Sequence, residues 1–245
     1  MDFFQFDHSF CEAKIYGGPP EYINSITSLF ISYMGYYALK NNDHLNNDIY
    51  LLYAALFLNG FVSCAYHWTN YLGFGLFFRF SMVLIAYPAV CACFKELGHL
   101  YNINMNIRKH FLILKQLYFT LLITTCSFGY EEIFNSLFGI FLGGSIIFIW
   151  LVNKKKDELN KKVKVLLKNS YIGLLFMLFA GIFWIFVEKF CDTFSIMKYI
   201  QGHAIWHIGV SLGGYLISLL LVGISLDRKH QLPLYNVSDK SINQK

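Results

Sequence analysis

Residues 202–207 read GHAIWH, and residues 208–226 after them are almost wholly apolar. In a helix, His203 and His207 lie one turn apart on the same face, so both imidazoles can point at one object. The apolar run that follows is long enough to cross a bilayer. Two imidazoles at the start of a membrane helix are costly to desolvate unless something binds them, and a transition metal is the usual partner.

The composition indicates an integral membrane protein. The chain has 245 residues, of which 56% are hydrophobic and only 14% charged, whereas soluble domains carry more charge. Seven apolar segments, each near the ~20 residues that a bilayer requires, run approximately over 22–39, 48–67, 72–94, 110–128, 133–152, 169–187 and 204–226. Glu131 and Glu132 are too expensive to leave in hydrocarbon, so we place a short loop between the fourth and fifth segments. The sequence therefore predicts an all-α fold of seven transmembrane helices in a single domain, residues 1–245.

Charge predicts how the segments are oriented. Lysines crowd residues 154–168, between the fifth and sixth segments, and further basic residues follow the third and the seventh. By the positive-inside rule these loops are cytosolic, so residues 1–21 form a lumenal N-terminal segment and residues 227–245 a cytosolic tail. The lysine-rich loop has two interpretations, a topology signal or a patch for nucleic acid or anionic lipid. We favour the topology signal and expect no nucleic-acid partner.

The cysteines divide according to the same topology. Cys11 and Cys191 are the two that fall in non-cytosolic segments, where oxidation is permitted. We predict that they form a disulfide, which would tie the N-terminal segment to the loop before the seventh helix. The remaining four lie in apolar segments, where a role as small buried hydrophobic residues is sufficient.

A third histidine lies at a similar depth. His67 ends the second segment on the side of the membrane where His203 and His207 begin the seventh. A lone interfacial histidine usually packs or forms hydrogen bonds, but three imidazoles with a fourth position open are the ligand set of a catalytic zinc. Ser63 stands one turn deeper than His67 on the same helix face. Its hydroxyl could stabilise a developing oxyanion, or could bond back to a carbonyl of its own helix.

These residues resemble the motifs of the alkaline ceramidases, a family of intramembrane hydrolases. The matching stretches are SCAYH at 63–67, HAIWH at 203–207 with LGGYL at 212–216, CE at 11–12 with PEY at 20–22, and FW at 183–184 with FC at 190–191. The stretch at 203–207 is the most specific of them. The resemblance covers both ends of the chain and the second helix, while the fourth and fifth helices contribute only hydrophobicity.

The resemblance implies a fold, a reaction and a membrane. The fold would be seven helices around an intramembrane zinc held by His67, His203 and His207, with Ser63 stabilising the oxyanion. The reaction would be hydrolysis of a ceramide-like N-acyl sphingoid lipid to a sphingoid base and a fatty acid. The membrane would be that of the endoplasmic reticulum or the Golgi. The family also carries a pair of lumenal cysteines at the positions of Cys11 and Cys191.

The chain departs from the family pattern beside the metal site. The family has an Asp eleven residues after the first zinc histidine, where it is thought to serve as general base, and Phe78 stands there in this chain. A bound metal ionises water near neutral pH without such a base, but losing a general base costs ~10²–10⁴ in rate. Glu188 is the nearest candidate substitute by depth.

Two further departures concern charged residues. Arg79 lies ~10 Å into the third segment, where it either snorkels to the outer interface or pairs with an anionic headgroup or with a carboxylate such as Glu188. Glu12 and Glu21 match two acidic residues of the family's N-terminal calcium site, but Lys14 replaces an Asn ligand of that site. We expect Lys14 to pair with Glu12 or Glu21, which argues against bound calcium.

Three functions are consistent with the sequence. The first is an intramembrane zinc amidase acting on ceramide-like lipids, and the second is a catalytically impaired relative that acts as a lipid-binding or receptor-like protein. The third, an unrelated receptor or transporter, is disfavoured because ionisable groups are scarce near the middle of the segments. The three intact histidines favour the enzyme, since packing alone would not select three buried imidazoles.

Overall fold

The computed structural model describes residues 4–6, 10–42 and 45–242, with side chains as far as Arg228. Most of these residues belong to seven long helices: α1 (Tyr22–Asn41), α2 (Asn47–Thr69), α3 (Leu72–Leu100), α4 (Met105–Ser127), α5 (Glu131–Lys154), α6 (Lys161–Phe190) and α7 (Gly202–Ile242). Short helical turns occupy Ala13–Tyr16, Lys156–Glu158 and Ser195–Tyr199. The described residues form no β-strand beyond an isolated bridge between Phe6 and Tyr71. The all-α prediction is confirmed, and each predicted segment corresponds to one long helix.

Five of the seven helices are long and apolar enough to cross a membrane: α2, α3, α5, α6 and the Gly202–Arg228 part of α7. The other two, α1 and α4, have 20 and 23 residues, so their length is sufficient and their polarity sets them apart. In α1 four polar side chains are buried inside the protein, those of Asn24, Ser25, Ser28 and Ser32. The fold is therefore that of a helical membrane protein, and the membrane crossing of α1 and α4 stays a prediction.

Side chains that accept hydrogen bonds from backbone N–H groups determine where several helices begin. Asn46, Asn104 and Asn160 start α2, α4 and α6, and each accepts a hydrogen bond of 2.9–3.0 Å from the N–H three residues later. The free N–H groups of a first turn need such partners. At the opposite end of the bundle the carboxylate of Glu12 does this for α1, accepting two backbone N–H groups at 2.6 and 2.8 Å.

Glycines bring two pairs of helices into close contact. A Cβ on Gly60 of α2 would clash with the backbone of Ser32 in α1, and a Cβ on Gly213 of α7 would clash with the backbone of Gly173 in α6. The pairs α1–α2 and α6–α7 therefore pack backbone against backbone, as small residues allow in membrane helices. In α5, by contrast, a Cβ on Gly143 would meet nothing within 4 Å.

The segment before α1 lies across the end of the bundle where the histidines are. A disulfide joins Cys11 to Cys191 in the loop between α6 and α7, with the Cα atoms 5.9 Å apart, and this is the predicted pair. The backbone N–H of Cys11 also donates to Glu188 Oε2 at 2.9 Å. The other four cysteines are free thiols, of which Cys126 is buried and three are half-buried. Residues 10–21 are thus fastened at both ends, to α6 and to α1.

Candidate metal centre and adjoining cavity

Three imidazoles meet where α2 ends and α7 begins. The candidate ligand atoms of His67, His203 and His207 all lie within 4.8 Å of one another, and these residues are 0%, 5% and 2% exposed. Their ring centroids are 4.5–5.1 Å apart. Within the part of the chain that the structure describes, this is the one group of three or more such residues that could hold a metal ion. The predicted trio therefore comes together.

A buried carboxylate orients His67. The Nδ1 atom of His67 lies 2.7 Å from Glu21 Oε2, and both side chains are fully enclosed. When neutral His67 carries its proton on Nδ1, it donates to this carboxylate and keeps the lone pair of Nε2 available. Such carboxylate–histidine pairs fix the tautomer and the ring orientation of metal-binding histidines.

Other N–H groups hold the Glu21 carboxylate in place. The backbone N–H of Phe10 donates at 2.8 Å, and the side-chain amides of Asn24 and Asn70 donate at 3.1 Å each. Burial raises the pKa of Glu21, but the hydrogen bonds from His67, Asn24 and Phe10, with the charge that His67 carries when protonated, outweigh it, so the pKa lies below the ordinary glutamate value. Glu21 is thus a buried acceptor that orients His67, a role that the sequence interpretation missed.

Hydroxyl groups of α1 orient His207. Its Nδ1 atom lies 3.1 Å from Thr27 Oγ1 and 3.4 Å from Ser28 Oγ. These hydroxyls donate to carbonyls of α1, at 2.8 Å in each case, so they accept the Nδ1 proton of His207. The Ser63 hydroxyl is fully buried and bonds to Ser28 Oγ at 2.8 Å. Ser63 therefore joins the same network through a neighbouring helix.

The histidine nitrogens suit a metal ion. The Nε2 atoms of His67 and His207 are enclosed and have no hydrogen-bond partner among the described residues. An enclosed polar nitrogen without a partner is costly, and here both Nδ1 atoms are engaged elsewhere while the candidate ligand atoms lie within 4.8 Å of one another. Neutral imidazole nitrogens are ligands of zinc and related transition metals. The residues present therefore fit a bound metal.

Aromatic rings enclose the cluster on its outer side. The ring centroid of Phe10 lies 4.0 Å from that of His203 and 5.1 Å from that of His67. Trp184 of α6 meets His203 edge to face at 4.8 Å and stacks on Trp206 of α7 at 5.5 Å. Because Phe10 precedes the disulfide by one residue, the covalent link holds this ring over the imidazoles.

The acidic residues assigned to a calcium-site remnant have other partners. Both oxygens of Glu12 accept backbone N–H groups of α1, and burial raises the pKa of its carboxyl. Lys14 pairs with Asp192 at 2.7 Å and not with Glu12 or Glu21, so that part of the prediction is wrong. Asp192 lies in the loop after α6, where an exposed lysine reaches it without desolvation.

Three residues singled out beside the histidines have different surroundings. Phe78 stacks on Tyr66, with ring centroids 5.7 Å apart. Arg79 is buried and lies 3.6 Å from Glu131 Oε2 at the start of α5, so a carboxylate does face it, and that carboxylate is Glu131 where the sequence had suggested Glu188. Glu188 accepts the Cys11 N–H and thereby holds the N-terminal segment. The partner of Arg79 comes from α5 because α3 packs against α5 at that end of the bundle.

An apolar cavity of about 450 Å³ adjoins His207 of the histidine cluster. His207 and Trp206 line it at one end, and Leu97 of α3 and Phe111 of α4 line it at the other. Along α3 the lining extends from Phe78 to Leu97, which corresponds to ~28 Å of helix. The cavity is therefore long, narrow and almost wholly apolar, with His207 at its end.

Sequence reasoning found the histidines but missed their supports. Glu21, Asn24, Ser28 and Ser32 recur every three or four residues in α1, which places small polar groups on one helix face. This stripe was the available signal, because polar side chains facing lipid would be too expensive. Asn70 follows α2, and nothing in its sequence position indicates that it reaches Glu21.

Comparison with known proteins identifies a family for the chain. A family model described as Ceramidase matches residues 7–238, which is nearly the whole chain and includes all three histidines. No significant match to the chain is found among curated proteins.

Proposed function

The chain belongs to the ceramidase family, and we propose that it is a zinc-dependent membrane hydrolase that cleaves the amide bond of ceramide-like N-acyl sphingoid lipids. Membership of the family supports a ceramide-hydrolysing function. The observation that carries the proposal is the convergence of three buried imidazoles, of which that of His207 lines the end of an apolar cavity. The products would be a sphingoid base and a fatty acid.

The cavity suits a long hydrocarbon chain. Its lining extends along α7 from His207 to Leu221, or ~21 Å of helix, while the hydrocarbon core of a bilayer is ~30 Å thick. A lipid chain lying in this cavity would bring its polar end to His207 and Ser63. An almost wholly apolar lining gives affinity for methylene groups, and the few polar groups at one end orient the ligand.

His67, His203 and His207 would hold the zinc. A zinc ion in such a site supplies Lewis acidity, which activates water and polarises a carbonyl group. Glu21 keeps His67 protonated on Nδ1, and Thr27 with Ser28 does the same for His207, so both rings present Nε2 inward. Phe10 and Trp184 exclude bulk water from the outer side.

Ser63 would stabilise the oxyanion that develops when an amide carbonyl is attacked. In the structure Ser28 donates to a carbonyl of α1, so the Ser63 proton points to Ser28 Oγ. For Ser63 to donate to an oxyanion, the Ser28 hydroxyl would turn its proton towards Ser63. The two serines therefore form a unit, in which Ser28 positions the proton of Ser63.

Phe78 favours a second candidate function. Its stacking on Tyr66 places an aromatic ring where relatives of the alkaline ceramidase type carry the general base, and a lost base costs ~10²–10⁴ in rate. A chain that retained the metal and the cavity but not the turnover would be a lipid-binding or receptor-like protein.

The proposal includes an orientation in the membrane. The disulfide supports placing residues 10–21 and the loop after α6 in an oxidising compartment, and the lysines of residues 154–168 support a cytosolic position for the opposite end. We propose the endoplasmic reticulum or the Golgi as the membrane.

Hydrolysis of a fluorescent ceramide by the purified full chain tests both candidates. The enzyme would release labelled fatty acid, contain about one zinc per chain, and lose both properties in His207→Ala. The matched control is His110→Ala, because His110 is an exposed histidine of α4. Zinc without turnover would favour the lipid-binding protein. Absence of zinc and of turnover from the wild-type chain would overturn the proposal.

A further inference from the structure

A polar amide lines the cavity below the histidines. Asn59 of α2 is 3% exposed and borders the cavity together with Phe78 and His207. It precedes Ser63 by four residues and His67 by eight, so all three lie on one face of α2. Residues four apart in a helix have Cβ atoms ~5–6 Å apart. The Asn59 side chain therefore lies one helical turn from Ser63, on the same face of α2.

The hydrogen bonds of Ser81 determine which way the Asn59 amide points. The Ser81 hydroxyl donates to the backbone carbonyl of Phe78 at 2.7 Å. A hydroxyl has one proton, so the Ser81 oxygen must accept at its contact of 2.7 Å with Asn59 Nδ2. The amide nitrogen therefore faces Ser81, and the carbonyl Oδ1 faces away from it.

The Asn59 Oδ1 atom keeps some accessible surface in a residue that borders the cavity. The Asn59 side chain has no other hydrogen bond among the described residues, and Oδ1 is not one of their fully enclosed atoms that lack a partner. The hydroxyls of Ser145, Ser211 and Ser218, which also line the cavity, donate to backbone carbonyls. Asn59 thus offers a side-chain carbonyl acceptor beside the site.

An amide at this depth is expensive without a ligand. A leucine would fill the same space in an apolar wall, whereas an unused amide carbonyl in a membrane interior costs free energy. The cost is recovered when a donor enters the cavity and bonds to Oδ1. The apolar lining around it means that this donor must belong to an otherwise apolar molecule.

We propose that Asn59 binds a hydroxyl group of the lipid, a few bonds from the scissile amide, and thereby selects hydroxylated N-acyl lipids over their deoxy analogues. This inference rests on the proposed function, since it takes the amide to lie at Ser63 and the histidines. Two hydroxyls on the hydrocarbon chains have this spacing, one on C3 of the sphingoid base and one on the α-carbon of the acyl chain, while the C1 hydroxyl is equally near but lies at the headgroup end. Both present an O–H donor to Oδ1.

The test compares N-acyl sphinganine, its 3-deoxy analogue and the N-(2-hydroxyacyl) form of the 3-deoxy analogue. Each competes with a fluorescent ceramide for the purified full chain, and hydrolysis of each is measured in parallel. We expect the wild type to prefer one hydroxylated lipid about tenfold over the 3-deoxy lipid, and the one preferred identifies which hydroxyl Asn59 contacts. In Asn59→Leu the ratio should fall to about one, a change that a purely structural role would not produce.

Two further variants keep the test decisive. Ser81→Ala retains the Asn59 amide but removes the hydroxyl that fixes its orientation, so this variant should lose part of the preference for the hydroxylated lipid. It provides a test even if Asn59→Leu does not fold. Thr125→Val is the control, because Thr125 is a buried hydroxyl of α4 that bonds within its own helix and lies outside the cavity lining. Its ratio should equal that of the wild type.

The outcomes separate the two proposals. Discrimination in binding without hydrolysis of any lipid would refute the proposed enzyme and leave the role of Asn59 standing. Hydrolysis with the same lipid ratio in the wild type, Asn59→Leu and Ser81→Ala would refute the role of Asn59 and leave the enzyme standing. A wild type that does not distinguish the three lipids would overturn the inference directly.

Discussion

Two regions of the protein face each other across the cavity and are packed in different ways. One consists of the helices around the histidines, and the other is the hairpin formed by α4 and α5. In the first group, which we call the histidine half (α1, α2, α6 and α7), glycines bring backbones together and buried polar groups bond across helices. In the α4–α5 hairpin the glycines of α5 have open space beside them. In the most apolar 18-residue stretch of each helix, 56% of the residues are buried in α7 but only 17% in α5.

The difference follows from what each region must do. Ligand nitrogens must be held within a fraction of an ångström, which requires rigid packing and second-shell hydrogen bonds. The hairpin supplies the far wall of an apolar cavity, where any side chain of suitable size will serve. Substitutions should therefore be costly in the histidine half and tolerated in the hairpin.

The largest effect is expected from the disulfide. Cys11→Ser should lower the free energy of unfolding by about 2–5 kcal/mol, and it should weaken metal retention because the Phe10 N–H that holds Glu21 is next to this link. Thermal unfolding of the purified chain, with zinc content, measures both. Cys64→Ala, which removes a half-buried free thiol, is the control. Equal stability of the two variants would contradict the prediction.

Packing between α1 and α2 should be nearly as sensitive. A valine at Gly60 must displace the backbone of Ser32, so Gly60→Val should cost about 1–3 kcal/mol or more, as overpacking does. Gly143→Val in the hairpin meets open space and should cost well under 1 kcal/mol. Thermal stability of the two variants measures the contrast. Similar losses would show that the two regions do not differ as described.

The third effect concerns metal affinity. Glu21→Gln removes the carboxylate that accepts from His67, so the affinity for zinc should fall about 10–100-fold, as loss of such a partner does in other metal sites. Titration with zinc against a chelating dye measures this change. Glu12→Gln alters an equally buried carboxylate that serves only the start of α1. Its zinc affinity should stay within a few-fold of the wild type, and a drop as large as that of Glu21→Gln would remove the special role of Glu21.

The smallest effect is expected at the surface of the histidine half. Lys14 holds the pKa of Asp192 below the ordinary aspartate value of 3.8 by its hydrogen bond and charge. Because the folded-state pKa is lowered, this contribution is fully present at neutral pH and is lost as the pH falls below the ordinary value. Asp192→Asn should therefore be slightly less stable than the wild type at pH 7 and equally stable in strong acid. A difference that grows towards low pH would contradict this reasoning.

Composition and charge were sufficient to predict the seven segments, the short loop before Glu131 and the disulfide pair. Hydrophobic length and oxidising compartment are properties of the chain itself, so they can be read without knowing any contact. The histidine trio was also predictable, because two of its members share one helix face and the third ends a neighbouring segment. The partner of Lys14 was predicted wrongly, and for Arg79 a carboxylate partner was predicted but not its identity, since each partner lies in a loop or helix start far away in the chain.

The sequence by itself therefore determined the helices, the family and which side chains could bind a metal. Only the tertiary structure decided how Glu21 and Ser28 orient the ligands, and how Asn59 comes to border the cavity. Periodicity within one helix specifies which face a residue occupies, but it does not specify which residue of another helix it meets. That depends on the close approach of α1 and α2 through Gly60, which is a property of two segments together.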